Sequence, residues 1–437
     1  MAPSKVVRTA VLFGTIGLAL AACGSDSGSS ESSGAASGSA SAPAGDGSVT
    51  IGTLLPQTGS LAFLGPPEFA GVNLAAQQIN AAGGALGQPV EIIDGDSGDT
   101  STNIAAQTVD RLISQKVDAI VGAASSSVTL SVIDKVTNAG VAMVSPANTS
   151  TKLTDYPDNG LYARTAPPDT LQGKVLADQA LSDGNQTICI MALQDAYGEG
   201  LANVVDTVFT ENGGEITDTI IYDPKAASFE AEVGKCKATN PDAIVLIGFD
   251  ESKKILQEMI KQGVGPQDVQ LYLVDGNLSN TLAEGLPAGT MEGVKGTTPG
   301  AKPSDAFRAQ LLEVDPNLTD FSYAAESYDA VNLIALAAIK AGNNSGPAIA
   351  ANLAAVSGAD DQGEACNTFD ACAALLADGK DINYEGQSGP INLDANGDPS
   401  KAAMGVYVFG ADNKYTLQDT VVADVPAPAG AASASAS

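Results

Sequence analysis

Residues suited to chemistry gather at a few points along the chain. Ser125, Ser126 and Ser127 follow directly on the apolar run VDAIVGA, and SPANTS, with Ala147 and Thr149, follows on VAMV. Further on, QDAYGEG offers Tyr197, IGFDES offers Asp250 and LVDGN offers Asp275. Hydroxyls at a helix start, where free N–H groups and the helix dipole favour negative charge, suit an anion. A phosphate would bring glycine repeats and a lysine; neither is present, so a carboxylate fits better. Tyrosine and carboxylates suit a cation. The two sets together suit a zwitterion, whose charges are buried only at a cost of several kcal/mol unless each is paired. A plainer reading stands beside this one: Ser126 and Ser127 cap the following helix, and Asp275 only starts a turn with Gly276.

Catalysis has little to work with. The chain has no histidine, which excludes Ser-His-Asp and Cys-His chemistry, His-ligated metals and His general bases. Asp250 and Asp275 could form an acid/base pair, but both belong to strand ends of one lobe, and no nucleophile motif or metal cluster accompanies them. The expectation is a binding protein, not an enzyme, with no cofactor. Residues Asp394 to Asp398 (DANGD) have the oxygens of a calcium loop but lack its twelfth-position glutamate; a hairpin turn on Asn396-Gly397 is the expected structure. The net charge of −30 argues against nucleic acid, whose binding needs basic patches.

The elements that must position these residues follow a regular rhythm. From Ser48 strands alternate with helices: VTIGTLLP, EFAGVNLAAQQINAAGG, PVEIIDGDSGD, STNIAAQTVDRLIS, VDAIVGA, SVTLSVIDKVTNAG, VAMVSP. This is the pattern of βαβ units and a parallel sheet. After RTAPPD it restarts, giving an α/β protein of two doubly wound parallel-sheet lobes. Lobe 1 is expected at 48–165 and 290–384, lobe 2 at 166–289 and 385–422. After about Gly289 the chain reads as irregular, then gives the long apolar helix YAAESYDAVNLIALAAIKAG and a hairpin-like tail. Ligands of such sheets bind beyond the carboxyl ends of the strands, where the serines, SPANTS, Tyr197, Asp250 and Asp275 fall.

The first residues speak to compartment. Lys5 and Arg8 precede the apolar run VLFGTIGLALAA, too short for a membrane span and matching an export signal over 1–22. LAAC resembles the bacterial lipobox, which makes Cys23 the lipidated first residue of the mature protein. The Gly/Ser-rich stretch 23–47 reads as a flexible tether, and 423–437 as a disordered tail. In an exported chain the remaining cysteines pair. Cys366 and Cys372 stand close in sequence and are the expected pair, leaving Cys189 for Cys236.

From Val49 to Val422 the chain resembles the type I periplasmic binding proteins of the leucine/isoleucine/valine-binding class, the extracellular receptors of ABC importers. The resemblance rests on IGTLLPQTGSLAFLGPPEFAGVNLAAQQINAAGG, VSPANTSTKLTD, YARTAPPD, DAYGEGL and YDAVNLIALAAIKAG. It implies a three-crossover hinge and a ligand trapped between lobes. It places the ligand carboxylate on Ser126, with Ala147 and Thr149 beside it, the ammonium on Asp275, and Tyr197 over the ammonium. Ala124, Leu64, Phe63 and Asp250 complete the expected lining. Two departures leave the ligand side chain open: Leu64 beside Phe63 replaces an aromatic lining residue, and Asp275 replaces a longer glutamate. Short amides, urea and aromatic acids therefore stay beside branched-chain amino acids. The implied partners are an ABC permease and, through the lipid, the membrane; the protein is expected to be a monomer. A ligand-sensing ectodomain of the same fold is the other class considered.

Overall fold

The structure, a computed structural model, describes residues 45–359 and 362–427. The export signal and Cys23 lie outside them. The first sheet is built from β1 (Thr50–Leu54), β2 (Glu91–Ile93), β3 (Ala119–Gly122), β4 (Ala142–Ser145) and β5 (Tyr162–Arg164), with α1 (Gly65–Ala81), α2 (Ile104–Ser114) and α3 (Ser126–Asn138) between them. The second lobe follows with α4 (Asp169–Ser182), β6 (Thr187–Leu193), α5 (Ala196–Glu211), β7 (Glu215–Tyr222), α6 (Glu230–Ala238), β8 (Ala243–Ile247), α7 (Ser252–Gln262), β9 (Gln270–Leu273) and β10 (Lys295–Pro299). The chain then returns to the first lobe through α8 (Asp305–Val314), α9 (Ala324–Ala341), α10 (Gly346–Val356), β11 (Glu364–Cys366), α11 (Phe369–Ala377) and β12 (Ile382–Tyr384). It finishes with β13 (Lys401–Phe409) and β14 (Tyr415–Asp424) on the second sheet.

Both lobes use one strand order. The first sheet runs β2-β1-β3-β4-β5, all parallel. The parallel part of the second runs β7-β6-β8-β9-β10, and β13 and β14 extend it antiparallel. In each sheet the order reverses between the first and third strands of the series, which opens a crevice at their carboxyl ends. Helices cover both faces, so β3 and β8 are buried throughout and read as unbroken apolar runs. The α9 helix is buried from Ala324 to Ala338 and is mostly apolar around its circumference, with Glu326, Asp329 and Asn332 buried among the apolar side chains. Gly71 lets α1 approach it, since a Cβ there would overlap the Ala324 carbonyl.

The late part of the chain departs from the sequence reading. The strand β10 pairs with β9 and β13, so the second lobe extends to Pro299, past the expected return at 290. Residues 385–400 lie against the first lobe instead of the second: Gln387 and Ser388 backbone N–H groups donate to Asp329 on α9 at 2.9 and 2.8 Å. Asn396-Gly397 does form a tight turn, with Asn396 N–H donating to Asp394 at 2.8 Å. Only one antiparallel bridge, Leu393 with Pro399, flanks it; the long hairpin is β13–β14. The body also begins earlier and ends later than expected. Gly45 and Gly47, assigned to the tether, donate to Asn343 and Asn344, and β14 runs through Ala423 and Asp424.

Both disulfides form as expected, Cys189–Cys236 and Cys366–Cys372. They close loops of very different length, with separations of 47 and 6 residues. Loop-closure entropy then predicts losses of about 4 and about 2 kcal/mol for the respective double alanine variants. Urea unfolding of the two variants checks the order; equal losses would contradict it.

Candidate ligand-binding site

The carboxyl ends of both sheets face one another, and their loops enclose a small cavity. From the first lobe come Leu61 and Leu64 after β1, Ala124, Ser125 and Ser126 after β3, and Ala147 and Thr149 after β4. From the second come Tyr197 after β6, Phe249 after β8, and Asp275 and Gly276 after β9. Tyr323 reaches in from the residue before α9. Seven of the nine residues expected from sequence line this one space: Ser126, Ala147, Thr149, Tyr197, Asp275, Ala124 and Leu64. Phe63 and Asp250 do not. Phe63 packs against the second-lobe core. Asp250 lines a wider outer mouth of about 640 Å³ and pairs with Lys253 at 2.8 Å. Phe249, one residue before Asp250 in the turn after β8, lines the cavity and stacks on Tyr197 with centroids 5.6 Å apart.

The three serines divide the work. Ser125 is the helix cap, accepting from Val128 N–H at 3.3 Å, a role that sequence reasoning gave to its two neighbours. Ser126 lines the cavity and accepts from Ser150 N–H at 3.2 Å, which leaves its own proton to donate. Ser127 bridges the lobes: its hydroxyl donates to Asp195 at 3.2 Å and accepts from Ala196 N–H at 3.0 Å. Behind them Asn148 fixes the wall by donating to the Ala123 and Ala124 carbonyls at 2.9 and 2.8 Å. Gly122 is obligatory at this crossing, where φ is +137° and a Cβ would overlap the Leu54 carbonyl. The first-lobe wall therefore presents a hydroxyl and the open N–H groups of the first turn of α3.

The opposite wall is acidic. Asp275 is 6% exposed and accepts from the Tyr197 and Tyr323 hydroxyls at 2.7 and 2.6 Å. Burial raises its pKa, against the lowering effect of both tyrosines. Tyr197 is raised well above its usual value by burial and the adjacent Asp275, so it stays a neutral donor. Sequence reasoning missed Tyr323 in this wall, and Asp169 behind Thr149. Tyr323 has φ of +61°, a left-handed backbone that a bulky side chain rarely takes, and this conformation precedes the helix whose start aims the ring at Asp275. Asp169 is fully buried, and neither of its carboxylate oxygens has a hydrogen-bond partner among the described residues. Its pKa is raised well above the usual range by burial and by Asp275, while Thr149 opposes the rise. The motif YARTAPPD pointed to it only as a connector.

The space enclosed is about 10 Å³, roughly one water-sized sphere. The walls are nearly in contact, and Ser150 ties the lobes further by donating to the Ala196 carbonyl at 2.8 Å. A solute larger than water enters only when the lobes part.

The sequence profile described as "Periplasmic binding protein" matches residues 48–379. The chain belongs to the periplasmic binding protein family. As a periplasmic binding protein it binds solutes and is not an enzyme. It is 27% identical over 378 residues to the Leu/Ile/Val-binding protein BraC3 of Rhizobium johnstonii, covering 84% of this chain and 94% of that one. The fold is similar to that of the branched-chain amino acid transporter substrate-binding protein of Streptococcus pneumoniae in complex with isoleucine (TM-score 0.70, 24% identity, 86% of this chain and 99% of that one). It is equally similar to a Rhodopseudomonas palustris solute-binding protein in complex with 4-hydroxybenzoate (TM-score 0.71, 17% identity, 87% and 98%).

Proposed function

We propose that this periplasmic binding protein captures a branched-chain or similar small amino acid between its lobes and delivers it to an ABC permease. Ser126, Thr149 and the first turn of α3 receive the carboxylate. Asp275 receives the ammonium and Tyr197 covers it. The observation that carries the reading is the opposition of the walls: hydroxyl and N–H donors on one side, a buried carboxylate held by two tyrosine hydroxyls on the other. Leu61, Leu64, Ala124 and Phe249 supply an apolar surround of modest size. An aromatic acid without an ammonium would leave Asp275 facing its ring uncompensated, which disfavours it here. Titration calorimetry with leucine, isoleucine, valine and the matching amides tests the assignment. Within this series the zwitterions alone are expected to bind; equal binding of an amide lacking the carboxylate would overturn it.

The receptor is tethered through lipid on Cys23 to the outer face of the cell membrane. Support comes from LAAC followed by a stretch with almost nothing to bury. Cys23→Ala is expected to leave an unprocessed precursor or to release the protein into the medium. Fractionation and intact mass decide; a variant that stays on the membrane at the mature mass would sink the assignment.

A further inference from the structure

A second interlobe cavity lies beyond Tyr323, beside the crossover that follows β10. It encloses about 240 Å³ and is separate from the central site, with Tyr323 the single residue that lines both. Its first-lobe wall carries Arg308 and Glu326, its second-lobe wall Tyr407 and Tyr415, and Lys302 stands on the crossover between them. Neither Arg308 nor Lys302 has an ion pair or a side-chain hydrogen bond among the described residues. Arg308 instead lies over the Phe321 ring, with Cζ 4.2 Å from its centroid, a contact that favours the cation there and uses none of its N–H donors.

Two acidic groups line the same cavity, and neither forms an ion pair with these cations. Asp320 is engaged by Ser322 N–H at 3.0 Å, by the Ser322 hydroxyl at 2.7 Å and by the Tyr415 hydroxyl at 3.0 Å. Burial pushes the Glu326 carboxyl up to about 8, so at neutral pH it is largely a neutral acid that can donate. The Tyr407 and Tyr415 rings pack edge to face at 5.3 Å and form an aromatic wall opposite.

We propose that this cavity is a second ligand site, which takes a small carboxylate bearing a single ring. Arg308 and Lys302 pair with the carboxylate and the tyrosines face the ring. The volume falls below the roughly 300–1,000 Å³ of pockets for drug-sized ligands, which sets the limit of one ring. Because the walls come from both lobes, an occupant favours the closed form, as an effector acting beside the captured solute.

Calorimetry with benzoate on the full protein tests this. Wild type is expected to bind it. Arg308→Gln is expected to weaken binding by about tenfold or more, as loss of one partner of a close charge pair does. Lys302→Gln changes an exposed side chain and is expected to weaken it by about threefold without affecting folding. Thr149→Val, in the central site, is expected to leave benzoate affinity within about twofold. Loss in Thr149→Val with retention in both cation variants would place benzoate in the central site and overturn the proposal. So would the absence of wild-type binding at about 10 mM, a concentration that reveals even very weak sites. Thermal melting accompanies each variant; if Arg308→Gln melts early, Lys302→Gln alone decides.

Discussion

Asp275→Asn is expected to lower amino-acid affinity by roughly two to nearly four decades, the 3–5 kcal/mol lost when one partner of a buried charge pair is removed. The substitution keeps shape; its amide oxygen still accepts from one tyrosine hydroxyl, and its NH2 can donate to the other once that hydroxyl turns, so the fold is expected to melt near the wild-type temperature. What disappears is the negative charge opposite the ammonium. If the residue only started a turn, the cost would be about 1 kcal/mol of stability with little change in affinity. Calorimetry separates the two. A variant binding within about threefold of wild type would mean that the ammonium rests elsewhere, with Asp169 the next residue to substitute. The same pairing has a pH signature. Burial raises the Asp275 pKa, and only the ionised form attracts an ammonium. Affinity should therefore fall as pH is lowered through that raised value, earlier than for an exposed aspartate.

Arg164→Met is expected to destabilise the protein by about 3–5 kcal/mol, because it strands Asp398 as an unpaired buried charge. Arg164 is fully buried and all its donor atoms are committed. Its Nε and Nη2 donate to the two Asp398 oxygens at 2.6 and 2.8 Å, Nη2 also reaches Thr154 at 2.9 Å, and Nη1 donates to the Ser150 carbonyl at 2.9 Å. The bidentate pair joins β5, at the first crossover, to the DANGD loop before the last one. A double variant, Arg164→Met with Asp398→Leu, should recover most of the loss, since apolar replacement of both partners is often nearly neutral. Urea unfolding of the two single variants and the double one tests it. Single losses below about 1 kcal/mol would show the pair to be dispensable.

The first two series of strands and helices were legible because each unit closes locally, with an apolar run, a periodic helix and a turn residue between them. The strand β10 was not legible. Its sequence, KGTTP, has no apolar run, and it becomes a strand only because β9 and β13 flank it. The site divides in the same way. Residues at strand ends were found, since a parallel sheet fixes where its loops converge. Tyr323 escaped because it belongs to no strand end and reaches Asp275 across 48 residues. Phe249 was mistaken for its neighbour Asp250 because both lie in the turn after β8, where no strand period says which side chain faces the cleft.

The two lobes share a strand order, yet their facing surfaces carry opposite electrical character, and a one-residue choice contributes to the difference. At the amino end of α3 the capping residue is neutral Ser125; at the corresponding position of α5 it is Asp195, whose carboxylate accepts from Gly198 N–H at 2.7 Å. A serine satisfies the backbone and leaves the terminus attractive to anions, whereas an aspartate brings its own negative charge and neutralises it. One scaffold used twice thus acquires polarity across the cleft, and a ligand with a head and a tail of unlike charge is oriented before any of its side chain is read.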